Sequence, residues 1–201
     1  IDFEIQDFEL VHVNKFLPEE VVQLDGSTNI TGYATSIIGK PTVVADMRIS
    51  DFRLASERIG DVDLHSTWNK GKEYIEIFGA LDNKETREIY VEGKYFPVAK
   101  GDNLNAKLIF DKFNLAILNG IPSSGISNLS GRASGELFVK GSPIEPLITG
   151  SLSFDKATVK VNYLNTSYSF SDKVIVRENF IGTNFIPFSD QYGNSGFLNG
   201  T

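Results

Sequence analysis

Residues 131–154 read GRASGELFVKGSPIEPLITGSLSF, with glycines at Gly131, Gly135, Gly141 and Gly150 and a turn carrying Pro143 and Pro146. Alternation of apolar and polar residues sends successive side chains to opposite faces of a strand, and Gly and Pro punctuate turns and bends. The segment reads as a hairpin of two glycine-bearing strands. A looser version stands at residues 26–52, GSTNITGYATSIIGKPTVVADMRISDF. A recurring strand–glycine–proline–strand unit predicts a fold that grows by adding strands, in which a surface rather than a catalytic cluster does the work.

The rest of the chain agrees. Alternation is clear in Phe3–Ile5, Val43–Ile49, Val62–Leu64, Ile75–Ile77 and Ile89–Gly93. It continues in Leu104–Phe110, Leu137–Val139, Val159–Tyr163 and Val174–Val176. Each run is bounded by Gly, Asn, Asp, Ser or Pro, as strands are. About a dozen strands follow from this spacing, arranged as an antiparallel meander. Phe 15 and Tyr 7 against Trp 1 and Met 1 lean the same way, because aromatic and β-branched residues suit a pleated, half-buried surface. Helical signals are few: a short turn starting at Pro18, a short helix or strand over Phe113–Gly120, and a loop or helical turn over Ile121–Ser130. A second recurrence, Asp7-Phe8-Glu9-Leu10 and Asp51-Phe52-Arg53-Leu54, returns loosely at Asp111–Leu115 and Asp155–Val159. Each reads as an Asp-containing turn or bulge between apolar stretches, a mark of repeated architecture and not a site.

With 201 residues and a mean hydropathy of −0.12, the chain can bury a core as one elongated β domain over 1–201. Its sub-units are approximately 1–103 and 104–201, and it reads as a piece of a longer chain. The net charge of −7 and the lack of a clustered basic face argue against nucleic acid. Without cysteine there is no disulfide, thiol catalysis or Cys-ligated zinc.

Chemistry is hard to find. His12 and His65 stand far apart and in no motif, and no G-x-S-x-G elbow occurs. Glu19-Glu20 and Asp61/Asp63 read as solvated carboxylates. Gly39-Lys40-Pro41 lacks the remainder of a phosphate loop. The sequons at Asn29, Asn128, Asn165 and Asn199 read as chance occurrences in a chain rich in Asn, Ser and Thr. The expectation is a protein that is not an enzyme and needs no cofactor or metal.

What stands out is one-sidedness. Leu104, Ala106, Leu108 and Phe110 share a strand face, as do Leu137 and Val139, then Ile148, Leu152 and Phe154, then Val159, Val161 and Tyr163. Asn105, Lys107, Glu136, Lys140, Lys160 and Asn162 take the opposite face. An apolar sheet face has to be covered by a second sheet, by helices or by a ligand. Helices being scarce, the choice lies between a closed β-sandwich, which physics alone favours, and a curled antiparallel sheet with an apolar concave face.

The run from Gly131 to Thr201 resembles the β-rich repeat region of the TamB family, the large subunit of the translocation and assembly module, related to AsmA-like and bridge-like lipid-transfer proteins. The likeness rests on the glycine-rich strand, proline turn and strand quoted above. It also rests on Leu164-Asn165-Thr166-Ser167-Tyr168 as an L-x-T-x-Y segment, and on the turn at Asp190–Asn194 before Phe197, Leu198 and Gly200. Residues 16–100 resemble a more diverged preceding unit. The Phe, Asn, Lys and Ser bias is similar to Bacteroidetes versions of the family.

The resemblance implies a taco-like curled sheet in the periplasm or cell envelope of a Gram-negative bacterium, in a full-length protein anchored in the inner membrane. It further implies phospholipid acyl chains as cargo between the two membranes, and an outer-membrane TamA- or BamA-like β-barrel as partner. The residues that would line the groove are the twelve named above, from Leu104 to Tyr163. Two alternatives stay open. One is a scaffold for outer-membrane protein assembly that accepts strands on a sheet edge. The other is an extracellular β-sandwich that binds carbohydrate through Trp68, Tyr74 or Tyr168.

Overall fold

The computed structural model describes residues 1–16, 23–35, 42–55, 57–69, 71–83, 86–99, 101–121, 123–142, 145–178 and 180–200. The elements in chain order are β1 (Asp2–Glu9), a 3₁₀ turn η1 (Leu10–Phe16), β2 (Leu24–Thr35), β3 (Thr42–Leu54), β4 (Glu57–Asn69), β5 (Tyr74–Asn83) and β6 (Thr86–Tyr95). They continue with β7 (Leu104–Asn114), a 3₁₀ turn η2 (Leu115–Gly120), β8 (Ile126–Gly141), β9 (Pro146–Val161), β10 (Thr166–Phe170), β11 (Lys173–Arg177), β12 (Phe180–Asp190) and β13 (Ser195–Gly200).

All thirteen strands belong to one antiparallel sheet. From β1 to β9 each strand pairs with the next in sequence. β10 pairs with Ala157–Val161 of β9 and β11 with Gly150–Ser153 of the same strand. Both also pair with β12. They are therefore two pieces of one strand, interrupted at Ser171 and Asp172, and the meander is sequential throughout. Among the described residues the sheet does not close on itself and is not covered by a second sheet, as in a curled sheet and not a closed sandwich.

The helical elements differ in detail from the sequence reading. η1 ends at Phe16, ahead of Pro18, which lies outside the described residues together with Glu19-Glu20 and Gly39-Lys40-Pro41. Phe113 and Asn114 finish β7, and only Leu115–Gly120 is helical. Its N-cap is Asn114, whose side chain accepts the Ala116 N–H at 3.1 Å. Of the expected loop over Ile121–Ser130, the second half already belongs to β8.

The four Asp-containing recurrences mark β-bulges. Asp7, Asp51, Lys112 and Lys156 adopt φ of 50°, 52°, 52° and 48° near the same ends of β1, β3, β7 and β9. The bulged N–H leaves the ladder and finds a side-chain acceptor. Asp7 donates to Asn29 Oδ1 at 2.9 Å and Asp51 to Asp61 Oδ1 at 2.8 Å. Lys112 donates to Ser134 Oγ and Lys156 to Ser171 Oγ, both at 2.9 Å. An extra residue in a strand resets its alternation. Apolar pairs three apart, Phe110/Phe113 and Phe154/Ala157, thus stay on one face, where both pairs join the same core. Gly131 (φ 96°) sits opposite the Lys156 bulge, and a Cβ there would lie 2.7 Å from the Ala157 Cα.

That core gathers at the bulged end of the apolar face. η2 folds over it from the end of β7, burying Leu115 and Ile117 against Ile59 of β4, Leu81 of β5, Phe113, Ala133 of β8 and Ala157 of β9. The turn reaches as far as the β3–β4 connection, since a Cβ on Gly120 would stand 2.6 Å from the Leu54 carbonyl. Two polar anchors hold it. Asn119 bridges the Leu129 N–H and C=O, at 2.7 and 2.8 Å, and the buried Glu88 carboxylate accepts the Asn114 N–H at 3.1 Å.

Two outcomes test this packing. Ile117→Ala, which empties a site only 5% exposed, lowers unfolding free energy by about 2–4 kcal/mol in urea titrations. Near the β3 bulge, Asp51 accepts from Arg53 Nε at 3.0 Å and Arg58 Nε at 2.8 Å, and these bonds hold its carboxyl below the usual 3.8. A carboxyl held low in the folded state contributes stability above that value and loses it as pH falls. Asp51→Asn accordingly lowers stability modestly at pH 7 and flattens the acid limb, so that variant and parent converge below about pH 4.

Candidate functional site

The ladder registers determine which side chains share a face. One row across successive strands runs Met47, Leu64, Gly79, Val91, Leu108, Leu137 and Gly150. The next runs Ser66, Ile77, Gly93, Ala106, Val139 and Ile148. A third, toward the η2 core, runs Val62, Leu81, Ile89, Phe110, Gly135 and Leu152. None of the three contains a charge. The single hydroxyl, Ser66, is occupied: its Oγ accepts the Ala45 N–H and donates to the Ala45 carbonyl, both at 2.8 Å.

Of the residues expected to line a groove, Leu104, Ala106, Leu108 and Phe110 lie on β7, Leu137 and Val139 on β8, and Ile148, Leu152 and Phe154 on β9. The registers bring them together on this face. Phe110 and Phe154 also pack against the η2 core. Val159 and Val161 follow the Lys156 bulge and continue the face beyond Ala157, beside Tyr168 and Thr166 of β10. Tyr163 does not belong to it. The strand ends at Val161, Tyr163 falls in the turn before β10, and its side chain is 95% exposed.

Sequence reasoning missed the contributions of Ile5, Ile30, Met47 and Leu64, and above all the small residues. Gly32, Gly79 and Gly93 sit mid-strand on the apolar face. A Cβ on Gly93 would lie 2.8 Å from that of Ala106, and one on Gly32 2.9 Å from that of Ala45. Along this band the floor drops to the backbone. Bulkier side chains bound it: Trp68, Ile75, Tyr95 and Leu104 on one side, the third row and η2 on the other. Among the described residues only η1 and η2 pack on the sheet, yet the apolar side chains of the floor are half-buried, as on the inside of a curl. On the opposite face Phe78 and Phe138 stand 47% and 38% exposed.

The outer face carries the charges. Lys107 meets Glu136 at 2.7 Å, Arg48 lies 3.8 Å from Asp63, and His65 pairs with Asp46 through Nδ1. A depression of about 660 Å³ lies there, over Ala80. Of the aromatics expected for carbohydrate, Tyr74 is buried against Phe96, Trp68 is half-buried, and Tyr168 packs edge-on against Phe188. They form no platform. Among the described residues no group of three or more His, Asp or Glu is placed to hold a metal ion, and no helix is long and apolar enough to cross a membrane.

No protein-family model, no curated protein and no solved structure matches the chain.

Proposed function

We propose that the chain is a groove segment of a cell-envelope protein, shielding phospholipid acyl chains on the apolar face of its curled sheet as they move between inner and outer membrane. The observation that carries this reading is the uncharged band across the strands, floored by Gly32, Ala45, Gly79, Gly93 and Ala106 and, among the described residues, covered by no second sheet. Each buried CH₂ contributes roughly 0.8 kcal/mol, so an acyl chain is held by area alone, without a polar contact. The likeness of the C-terminal run to the TamB family supports the same cargo. It also supports a periplasmic setting, inner-membrane anchorage of the full-length protein and a TamA- or BamA-like barrel as partner. Chemistry on the lipid is not part of the proposal.

A second reading draws on the sheet edge. Among the described residues β13 pairs only with β12; it carries no charged residue, and its Phe197 is 71% exposed, as Phe185 of β12 is at 66%. β1, at the other edge, carries Asp2, Glu4, Asp7 and Glu9, the kind of charge that discourages strand addition. A scaffold for outer-membrane proteins would accept strands at β13.

The test is lipid retention by the purified chain. Ala106→Trp fills the floor and Leu137→Glu places a charge on it; each lowers co-purified phospholipid about tenfold, as expected for the loss of two buried CH₂ groups. Lys140→Glu, on the outer face, leaves it unchanged. Equal losses from inner and outer variants sink the proposal. Photo-crosslinkers at Leu108 and Phe197 separate the two readings, yielding lipid at the first position or a polypeptide at the second.

A further inference from the structure

The outer depression lies on the opposite face from the proposed groove and has a chemistry of its own. In register, Asp46 faces His65 and Arg48 faces Asp63 across β3 and β4. Along each strand the same residues alternate, Asp46 with Arg48 and Asp63 with His65. Acid and base therefore form a two-by-two checkerboard, joined by the His65–Asp46 pair and the Arg48–Asp63 pair. The next strands carry rings. Phe78 lies in register with His65 and Tyr90 with Ala80, and the two rings are 47% and 40% exposed. Ala80 opens the floor between rings and checkerboard.

This arrangement limits what fits. Arg48 is paired with Asp63 and His65 with Asp46, and Glu92, in register with Phe78, adds a third carboxylate to the wall, so an anion is repelled and a neutral polar ligand is not. Donors and acceptors nevertheless stand side by side, because Arg offers only donors, carboxylates only acceptors, and His either. The ring faces of Phe78 and Tyr90 add flat apolar surface beside this wall. An acyl chain would leave the polar wall unanswered. A ligand with a flat C–H face and a rim of hydroxyls, each both donor and acceptor, meets both halves.

We propose that the depression formed by Asp46, Arg48, Asp63, His65, Phe78 and Tyr90 is a binding site for a neutral oligosaccharide, independent of the apolar groove. The about 660 Å³ is of ligand-site size. Its side chains are half-exposed, with Arg48 at 64% and His65 at 57%, so binding is weak and quickly reversible.

The experiment is a titration of the ¹⁵N-labelled chain with cellohexaose, maltohexaose and chitohexaose, followed by amide chemical shifts. At least one sugar produces saturable shifts confined to residues 46–48, 63–65, 78–80 and 90–92. Phe78→Ala and Tyr90→Ala, at exposed positions the fold tolerates, each weaken that binding about tenfold. Leu137→Glu, which disrupts the proposed lipid face, leaves it intact. Three sugars without saturable shifts up to about 10 mM overturn the proposal. So does hexalysine or hexaglutamate shifting the same amides more strongly than every sugar, since the site would then select charge.

Discussion

An antiparallel sheet with one apolar face and no covering layer leaves its strands a single means of sheltering that face, which is to curl around it. Here the shelter depends on every strand keeping its apolar residues on the same side, and alternation alone would not do so over strands of up to 16 residues. The bulges at Asp7, Asp51, Lys112 and Lys156 reset the period where it would otherwise fail. Phe113 and Ala157 thereby face inward like Phe110 and Phe154. Without one extra residue, everything beyond the bulge would turn outward. The acceptors Asn29, Asp61, Ser134 and Ser171 support this, because each satisfies an N–H that the bulge takes out of the ladder.

The same constraint separates the two faces. Small residues mid-strand lower the inner floor, and the flanking rows and η2 raise its sides. The outer face, free of that demand, holds paired charges and the few exposed rings. Ion pairs there, such as Lys107–Glu136, are solvent-exposed and contribute little to stability. Their effect is to keep a sheet with one apolar face from presenting two.

Much of this was legible where period two runs unbroken. Leu104 to Phe110, Leu137 to Val139 and Ile148 to Phe154 could be assigned to one face because nothing interrupts them. Tyr163 was misplaced because alternation persists in sequence for two residues after the strand has ended. The Asp-Phe recurrences were visible, but that they join apolar residues three apart on one face is a property of φ, which sequence does not display. That Gly79 and Gly93 form a floor was not legible, since glycine carries no side chain to mark a face and serves turns and close approaches alike. Sandwich and curl were inseparable because both bury one face of every strand. The outer depression was invisible because it depends on the mutual register of several strands.

The η2 turn bears on the central question of what the apolar face accommodates. Leu115 and Ile117 lie on that face and become 6% and 5% exposed, through contact with aliphatic and aromatic side chains of strands from β4 to β9. The hydrogen bonds that hold the turn lie at its ends, on Asn114 and Asn119, not in the contact itself. Apolar area is thus sufficient for burial there, and the surface is indifferent to the identity of what it covers. The adjoining band of Gly79, Gly93 and Ala106 has the same lack of charge and a lower floor. A guest on that band would be selected by shape and apolar area, and its polar end would have to remain outside, because the three inner rows offer a polar head no partner.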